Sequence, residues 1–147
     1  MRYLVLVENP ADVHGCVIFL TRFSKDARAQ FELHALTVVT PGDLAEVTTA
    51  RSLEVLSVHV KEIAEQRLSI FNKELKHHGL HALAHVRSGD LEDTVLKLVD
   101  ELAPDVLMLP RRGGDRLEDL FQGAQSQLIA SFCTRPVMVI PNRVARH

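Results

Sequence analysis

The chain has 147 residues, of which 46% are hydrophobic and 24% are charged, and its formal net charge is −2. That length suits a single domain with a full hydrophobic core, and the slightly negative charge excludes a nucleic-acid-binding protein that works by overall attraction to phosphate. Two cysteines are too few for a disulfide framework, and the apolar run Tyr3–Val7 is too short for a signal peptide or a membrane span. We therefore expect one soluble, cytoplasmic domain over residues 1–147.

Hydrophobic patterning predicts strands that alternate with helices. Short apolar runs rich in β-branched residues predict buried strands, and apolar residues at a spacing of 3.6 predict amphipathic helices. The predicted strands are Tyr3–Val7, Phe31–Val39, Leu80–Val86, Val106–Leu109 and Val137–Ile140, and the predicted helices run from Ala11 to about Gln30, over most of Asp43–His78, over Leu91–Leu102 and from Leu117 to Phe132. The long helix should end at a Gly79 cap, and its charged residues, Lys61 and Arg67 among them, are expected on a solvated face.

This alternation defines the fold class. Five strands separated by four helices predict an α/β protein with a mostly parallel sheet sandwiched by helices and joined by right-handed crossovers. The periodicity does not give the order of the strands. Ligands in such folds bind at the carboxyl ends of strands, so the predicted turn Pro110–Gly114 is the first place to look for function.

Three stretches resemble the universal stress protein family. The segment VRSGDLEDTVLKLVDELAPDVLMLPRRGG is similar to the family's "VREGDPAEAIL…ADLIVMGSRG" pattern, RPVMVIP is similar to its "CPVLVVP" ending, and LVLVENPAD resembles its "ILVAVDGSE" opening. The resemblance implies a three-layer α/β/α sandwich of the adenine nucleotide alpha hydrolase-like, Rossmann-like type, with strand order 3-2-1-4-5. It also implies a stress-response role and a cleft for ATP or AMP at the carboxyl ends of strands 1, 2 and 4.

The family's nucleotide motif, G-x2-G-x9-G-[ST], is only half present. Its four positions fall on Pro110, Gly113, Gly123 and Ala124. Proline has no amide hydrogen to offer a phosphate, and alanine lacks the motif's hydroxyl. Ser126 supplies a hydroxyl two residues further on. Each loss should cost on the order of 1–2 kcal/mol of binding.

The remaining candidate ligand contacts follow from the same resemblance. Asn9 takes the place of the family's acidic residue after the first strand, and Val38 corresponds to the apolar residue beside the adenine. The candidate nucleotide-binding set is Asn9, Val38, Arg111, Gly113, Gly123, Gln125 and Ser126. Arg111, with Arg112, either holds an anion in place of the missing amide or belongs to a solvated basic turn, since an arginine fork suits phosphate oxygens.

Other chemistry finds little support in the sequence. His81 and His85 share a face of the third predicted strand, but no cysteine or acidic cluster accompanies them, so no metal site is expected beyond Mg²⁺ that accompanies a nucleotide. There is no nucleophile elbow or P-loop, and we expect no enzyme beyond slow ATP hydrolysis.

The resemblance also implies a homodimer that pairs through the last strand, Val137–Ile140. Three hypotheses stay open at this point: a nucleotide-binding regulatory dimer, a dimer that acts only through protein partners, and an adenylate-handling enzyme. The third would need a pyrophosphate loop near Asn9 that the sequence does not show.

Overall fold

The structure, a computed structural model, describes residues 1–9, 13–27, 32–45, 53–111 and 127–141. Its elements are β1 (Arg2–Leu6), α1 (Val13–Ala27), β2 (Glu32–Val39), α2 (Pro41–Ala45), α3 (Leu53–His77), β3 (Leu83–Ser88), α4 (Leu91–Leu102), β4 (Val106–Arg111) and β5 (Val137–Pro141). Residues 127–132 are also helical and lead into β5. In this part of the chain no helix is both long and apolar enough to cross a membrane.

The five strands form one parallel sheet in the order β3-β2-β1-β4-β5. The predicted fold class and the strand order are therefore confirmed. The central strands β1 and β4 are apolar apart from the arginine that begins β1 and the arginine that ends β4. Helices cover both faces of these strands, which leaves no solvated side. The outer strands β3 and β5 each pair with one neighbour among the described residues.

Side chains that alternate along the strands build a core on each face of the sheet. Val5 of β1 and Val7, just after β1, pack with Val17 of α1 and Phe71 of α3 in the first core. Leu4 and Leu6 point the other way and join the second core, which contains Leu36 and Val38 of β2, Val95 and Val99 of α4, and Ile129. This arrangement is the three-layer sandwich.

Local capping chemistry fixes the end of α3 and the start of α4. Gly79, with φ +73°, ends α3 in a Schellman motif, because its N–H donates to Lys76 O and that of Leu80 donates to Leu75 O. Asp90 caps α4, where its side chain accepts from the N–H of Asp93 at 3.2 Å. The sequence predicted both boundaries.

Two predicted boundaries need correction. The third strand begins at Leu83 rather than Leu80 and continues to Ser88, because β2 extends far enough to pair Val39 with Ser88. His81 therefore lies before the strand and shares no strand face with His85. A short helix, α2, also follows β2 where the sequence predicted only a stop.

Candidate functional site

The strand order places a crevice between β1 and β4. The chain leaves β1 towards β2 on one side of the sheet, whereas β4 pairs with β1 on the other side and leads on to β5. Helices leave neighbouring strands in opposite directions at such a switch point, and in folds of this type ligands bind at the carboxyl ends of the two strands. This edge is where a ligand is expected to bind.

The β1 side of this edge presents a short polar segment. The N–H of Val7 donates to Leu36 O at 2.7 Å, which continues the ladder just beyond the end of β1. Glu8 is half-buried and Asn9 is exposed, so both polar side chains lie where the strand ends. The gap lined by Val5–Asn9, Cys16 and Phe71 has no room for a water molecule, so this side of the edge is closely packed on the first core.

The β4 side differs from the sequence prediction. Pro110 and Arg111 do not belong to a turn, since they continue β4 and pair with Ile140 and Pro141 of β5. Leu107 donates its N–H to Pro136 O on the β5 side. Because successive strand residues alternate their main-chain groups between the two neighbours, residue 110 faces the β1 side.

The last described pair of the ladder between β1 and β4 is Val5 with Met108. Pro110 lies two residues further along β4 and, having no N–H, cannot extend the ladder, so the proline marks the place where the pairing of β4 with β1 ends. The consequence for a ligand is direct: at the crevice, the buried Pro110 offers no amide to an anion.

The end of β2 is shaped by a reciprocal cap. Thr40 precedes α2, and its Oγ1 accepts from the N–H of Asp43 at 3.2 Å. The carboxylate of Asp43 accepts from the N–H of Thr40 at 2.9 Å, which completes a capping box, with Pro41 as the first helical residue. Val38 is 1% exposed, and its side chain packs in the second core rather than at the surface of the edge.

Arg67 of α3 ties this capped turn to the sheet. Its guanidinium donates to Val38 O at 3.1 Å and to Thr37 Oγ1 at 3.3 Å, and it pairs with Asp43 Oδ1 at 3.0 Å. Its side chain is only 14% exposed, so the expectation of a solvated Arg67 was wrong. The spacing carried a signal, because positions 64, 67, 68 and 71 share one helical face and three of them are buried apolar residues.

Hydrogen bonding and the charge of Arg67 together set the protonation state of Asp43. Burial raises the pKa of Asp43, but the hydrogen bond from the Thr40 amide and the charge of Arg67 outweigh it, and the pKa lies below its ordinary value. Asp43 is thus a carboxylate that holds Arg67 in place. The sequence prediction included neither residue in the site.

Part of the predicted site lies outside the described residues. This applies to Arg112, Gly113, Gly123, Ala124, Gln125 and Ser126, and for Arg111 the description is limited to its backbone in β4. The predicted residues that the structure brings to this edge of the sheet are therefore Asn9, the backbone of Val38 and the backbone of Arg111.

The described residues contain no group of three or more His, Cys, Asp or Glu side chains that could hold a metal ion. His81 is exposed, and His85 contacts His34 of the neighbouring strand instead.

Comparisons with known proteins place this geometry in context. The fold defines the class: a doubly wound, parallel α/β protein. The model of the universal stress protein family matches residues 20–141. The chain belongs to the universal stress protein family. No match was found among curated proteins.

Solved structures agree on the fold. A universal stress protein family protein from Arabidopsis thaliana with AMP bound has 18% identity and a TM-score of 0.70, covering 98% of this chain and 93% of its own. The universal stress protein from Archaeoglobus fulgidus in complex with dAMP has 17% identity and a TM-score of 0.56, covering 95% and 97%. A universal stress protein in complex with cAMP has 16% identity and a TM-score of 0.56, covering 96% and 98%.

Proposed function

We propose that this chain is a single-domain, cytoplasmic stress-response protein that regulates by binding an adenine nucleotide, ATP or AMP. The observation that carries the proposal is the topological switch point between β1 and β4. Related folds have been solved with AMP, dAMP and cAMP, which supports an adenine nucleotide as the ligand class. The proposed contacts are Asn9, Val38, Arg111, Gly113, Gly123, Gln125 and Ser126.

The role proposed for Arg111 follows from the missing amide. Residue 110 offers no N–H at the crevice, so a bound phosphate needs another donor. A guanidinium presents several N–H groups and makes strong, charge-assisted hydrogen bonds to phosphate oxygens. Arg111 and Arg112 come directly after Pro110 in the chain, which makes them the nearest replacement in sequence. Regulation without turnover fits a chain in which no catalytic base was identified.

The test has two parts. Mass spectrometry of the denatured, purified protein should reveal a co-purified adenine nucleotide, and calorimetric titration should show saturable binding of AMP or ATP. An Arg111→Ala/Arg112→Ala double variant should bind at least tenfold more weakly, whereas Arg135→Ala, an exposed arginine just before β5, should bind normally. Equal binding by the double variant and the native chain would remove the arginines from the proposal.

Pro110 favours a second candidate function. Without the amide, a dimer whose crevice takes no nucleotide and which acts through protein partners would fit the same fold. This second candidate predicts neither co-purified nucleotide nor heat on titration with ATP, AMP or cAMP. That result would overturn nucleotide binding and leave the family assignment untouched.

A further inference from the structure

A second polar cluster lies on the opposite half of the sheet, near the amino ends of β2 and β3. Nδ1 of His34 lies 2.8 Å from Nε2 of His85, and the two rings stack with centroids 5.0 Å apart and an interplanar angle of 27°. The side chain of His34 is 6% exposed. Its other nitrogen, Nε2, lies 3.0 Å from Oε2 of Glu32, close enough for an ion pair but without the alignment of a hydrogen bond.

The number of protons that fit between the two rings determines which nitrogen donates and which accepts. A single N–H can lie between the two facing ring nitrogens, so one of them must be an acceptor. The Glu32 carboxylate beside Nε2 of His34 favours a proton on that nitrogen, because a buried N–H is stabilised by a nearby negative charge. Nδ1 of His34 is then the acceptor, and Nε2 of His85 donates to it. The two rings thus form a donor–acceptor pair, and the carboxylate of Glu32 lies beside the far nitrogen of His34.

This pair of rings accommodates one additional proton and no more. The first can bind to Nδ1 of His85 while its Nε2–H still donates to His34, but it places a positive charge at a partly buried site beside Arg87, where that charge is disfavoured. A second would place N–H against N–H and two positive charges side by side at 2.8 Å, which breaks the contact. Since His34 is nearly enclosed, water cannot screen that repulsion.

The charged groups around the pair also act on its protonation. Arg2 of β1 pairs with Glu32, and its main-chain N–H donates to Asp105. Arg87 lies on β3 with His85. Burial lowers the pKa of His85, and the charges of His34 and Arg87 lower it further. Burial and these two charges keep His85 neutral at neutral pH.

The strand that this contact holds is the most exposed in the sheet. Leu83 is 52% exposed and Val86 is 39% exposed, and every residue of β3 except His85 is classed as exposed. An edge strand with so little buried apolar surface depends on its ladder to β2 and on side-chain contacts across it. We propose that Glu32, His34 and His85 form a proton-sensitive clasp that docks β3 on β2 at neutral pH and releases it under mildly acidic conditions.

The direction of the pH effect follows from the lowered pKa of His85. When β3 detaches, the histidine regains its ordinary value of 6.5 and binds a proton more readily than in the docked state. The clasp therefore contributes fully above about pH 6.5. It weakens as the pH falls towards the lowered value, by up to about tenfold in the docking equilibrium per pH unit.

Hydrogen exchange of the full-length protein between pH 7.5 and pH 5.0 tests this clasp. After correction for intrinsic chemistry, the opening equilibrium of the β3 amides bonded to β2 should increase by up to tenfold per pH unit below pH 6.5, while amides of β1 stay protected. In His85→Asn these β3 amides should exchange rapidly at every pH. The control His81→Asn, at an exposed histidine just before β3, should behave as the native chain. Unchanged β3 protection across this range would overturn the clasp.

Nitrogen-15 spectra of the native imidazoles give a second test that needs no variant. We expect a proton on Nε2 of His34, an unprotonated Nδ1 of His34, and a pKa of His85 below its ordinary value of 6.5. A protonated Nδ1 on His34 at neutral pH, or a His85 whose pKa is not lowered, would overturn the proposal.

Discussion

Two cations on one helix show how little a sequence pattern says about the energetic role of a charge. Arg67 and Lys61 both lie on α3 and both have a carboxylate partner. Lys61 pairs with Glu65 at 3.9 Å, and both side chains are more than two-thirds exposed, whereas Arg67 is nearly buried and also bonds to the backbone of β2. An exposed pair contributes little, since water screens it and the side chains lose entropy on pairing.

Arg67→Met should therefore be strongly destabilising. It leaves the Asp43 carboxylate and Val38 O without their cationic donor, and breaking a partly buried pair of this kind costs about 3 kcal/mol. The matched variant Lys61→Met should change the free energy of unfolding by no more than about 0.5 kcal/mol. Urea denaturation of the two variants measures both numbers, and similar losses would contradict the role given to Arg67.

The same pair predicts an acid-sensitive component of stability. Because the pKa of Asp43 is lower in the folded protein, the carboxylate stabilises the fold fully above its unfolded value of about 3.8, and this contribution is lost as the pH falls through the folded value. Denaturation curves should show that the free energy of unfolding of the unmutated protein declines between pH 6 and pH 2.5. The decline should be smaller in Asp43→Asn. Parallel curves for the two proteins would refute the assignment.

At this scale, the sequence predicted positions better than contacts. Asn9 was correctly expected after the first strand. Arg67 was missed because its charge outweighed its place on the apolar face, and its partners lie in β2 and α2, distant in sequence. Pro110 was read as a turn residue, since the chain alone cannot reveal that pairing with Ile140 of β5 prolongs β4 through this position.

Among the elements, the end of α3 depends on one backbone conformation. Gly79 adopts φ +73°, and a Cβ there would meet nothing within 4 Å, so the cost of a side chain is conformational and not steric. Gly79→Ala should lose about 1 kcal/mol of stability. In contrast, Gly42 lies within α2, and a Cβ added there would be 3.6 Å from Thr40 Oγ1, an ordinary contact distance. Gly42→Ala should therefore be neutral or stabilise by up to about 1 kcal/mol. Thermal unfolding of both variants checks the pair, and a harmless Gly79→Ala would contradict the Schellman role.

Element boundaries were predictable where local chemistry sets them. The sequence gives α4 as Leu91–Leu102, as observed, because its Asp90 cap and apolar periodicity are local signals. The start of β3 could not be read in the same way. It depends on the register with β2, which pairs His34 with Leu83, and that pairing joins residues about fifty positions apart.

At the scale of the whole molecule, the same limit applies to topology. Alternating strands and helices predict a parallel sheet, but the order 3-2-1-4-5 came only from the family resemblance, because periodicity contains no information about which strands are neighbours. The sequence and the family resemblance predict a site only to the level of an edge of this sheet. Its details depend on contacts across elements, such as that of Arg67 with Val38 O.

The proposed homodimer can be tested at the β5 edge. Val139 is 44% exposed on this outer strand, and Leu128 and Phe132 expose 44% and 69% of their surface on the helical residues before it. A second copy that pairs along β5 would cover Val139. Val139→Glu should weaken dimerisation at least tenfold, since it would bury a charge, whereas Val58→Glu, at a residue 54% exposed on α3, should leave it unchanged.

Sedimentation velocity over a range of concentrations measures this association directly. A native protein that stays monomeric at high micromolar concentration, or a dimer that survives Val139→Glu unchanged, would exclude pairing through β5.

The proline in β4 has one more consequence. The main-chain N–H that residue 110 lacks can be restored by a single substitution. Since the sheet does not use an amide at residue 110, restoring one should not disturb the strand pairing. Pro110→Gly should cost about 1 kcal/mol of folding stability through added freedom of the unfolded chain. If phosphate is the group that meets this crevice, the variant should gain about tenfold in affinity for ATP from one hydrogen bond to a charged oxygen. Pro110→Gly would then bind ATP more tightly than the native chain does. The ratio of the two dissociation constants would measure the affinity that the proline costs.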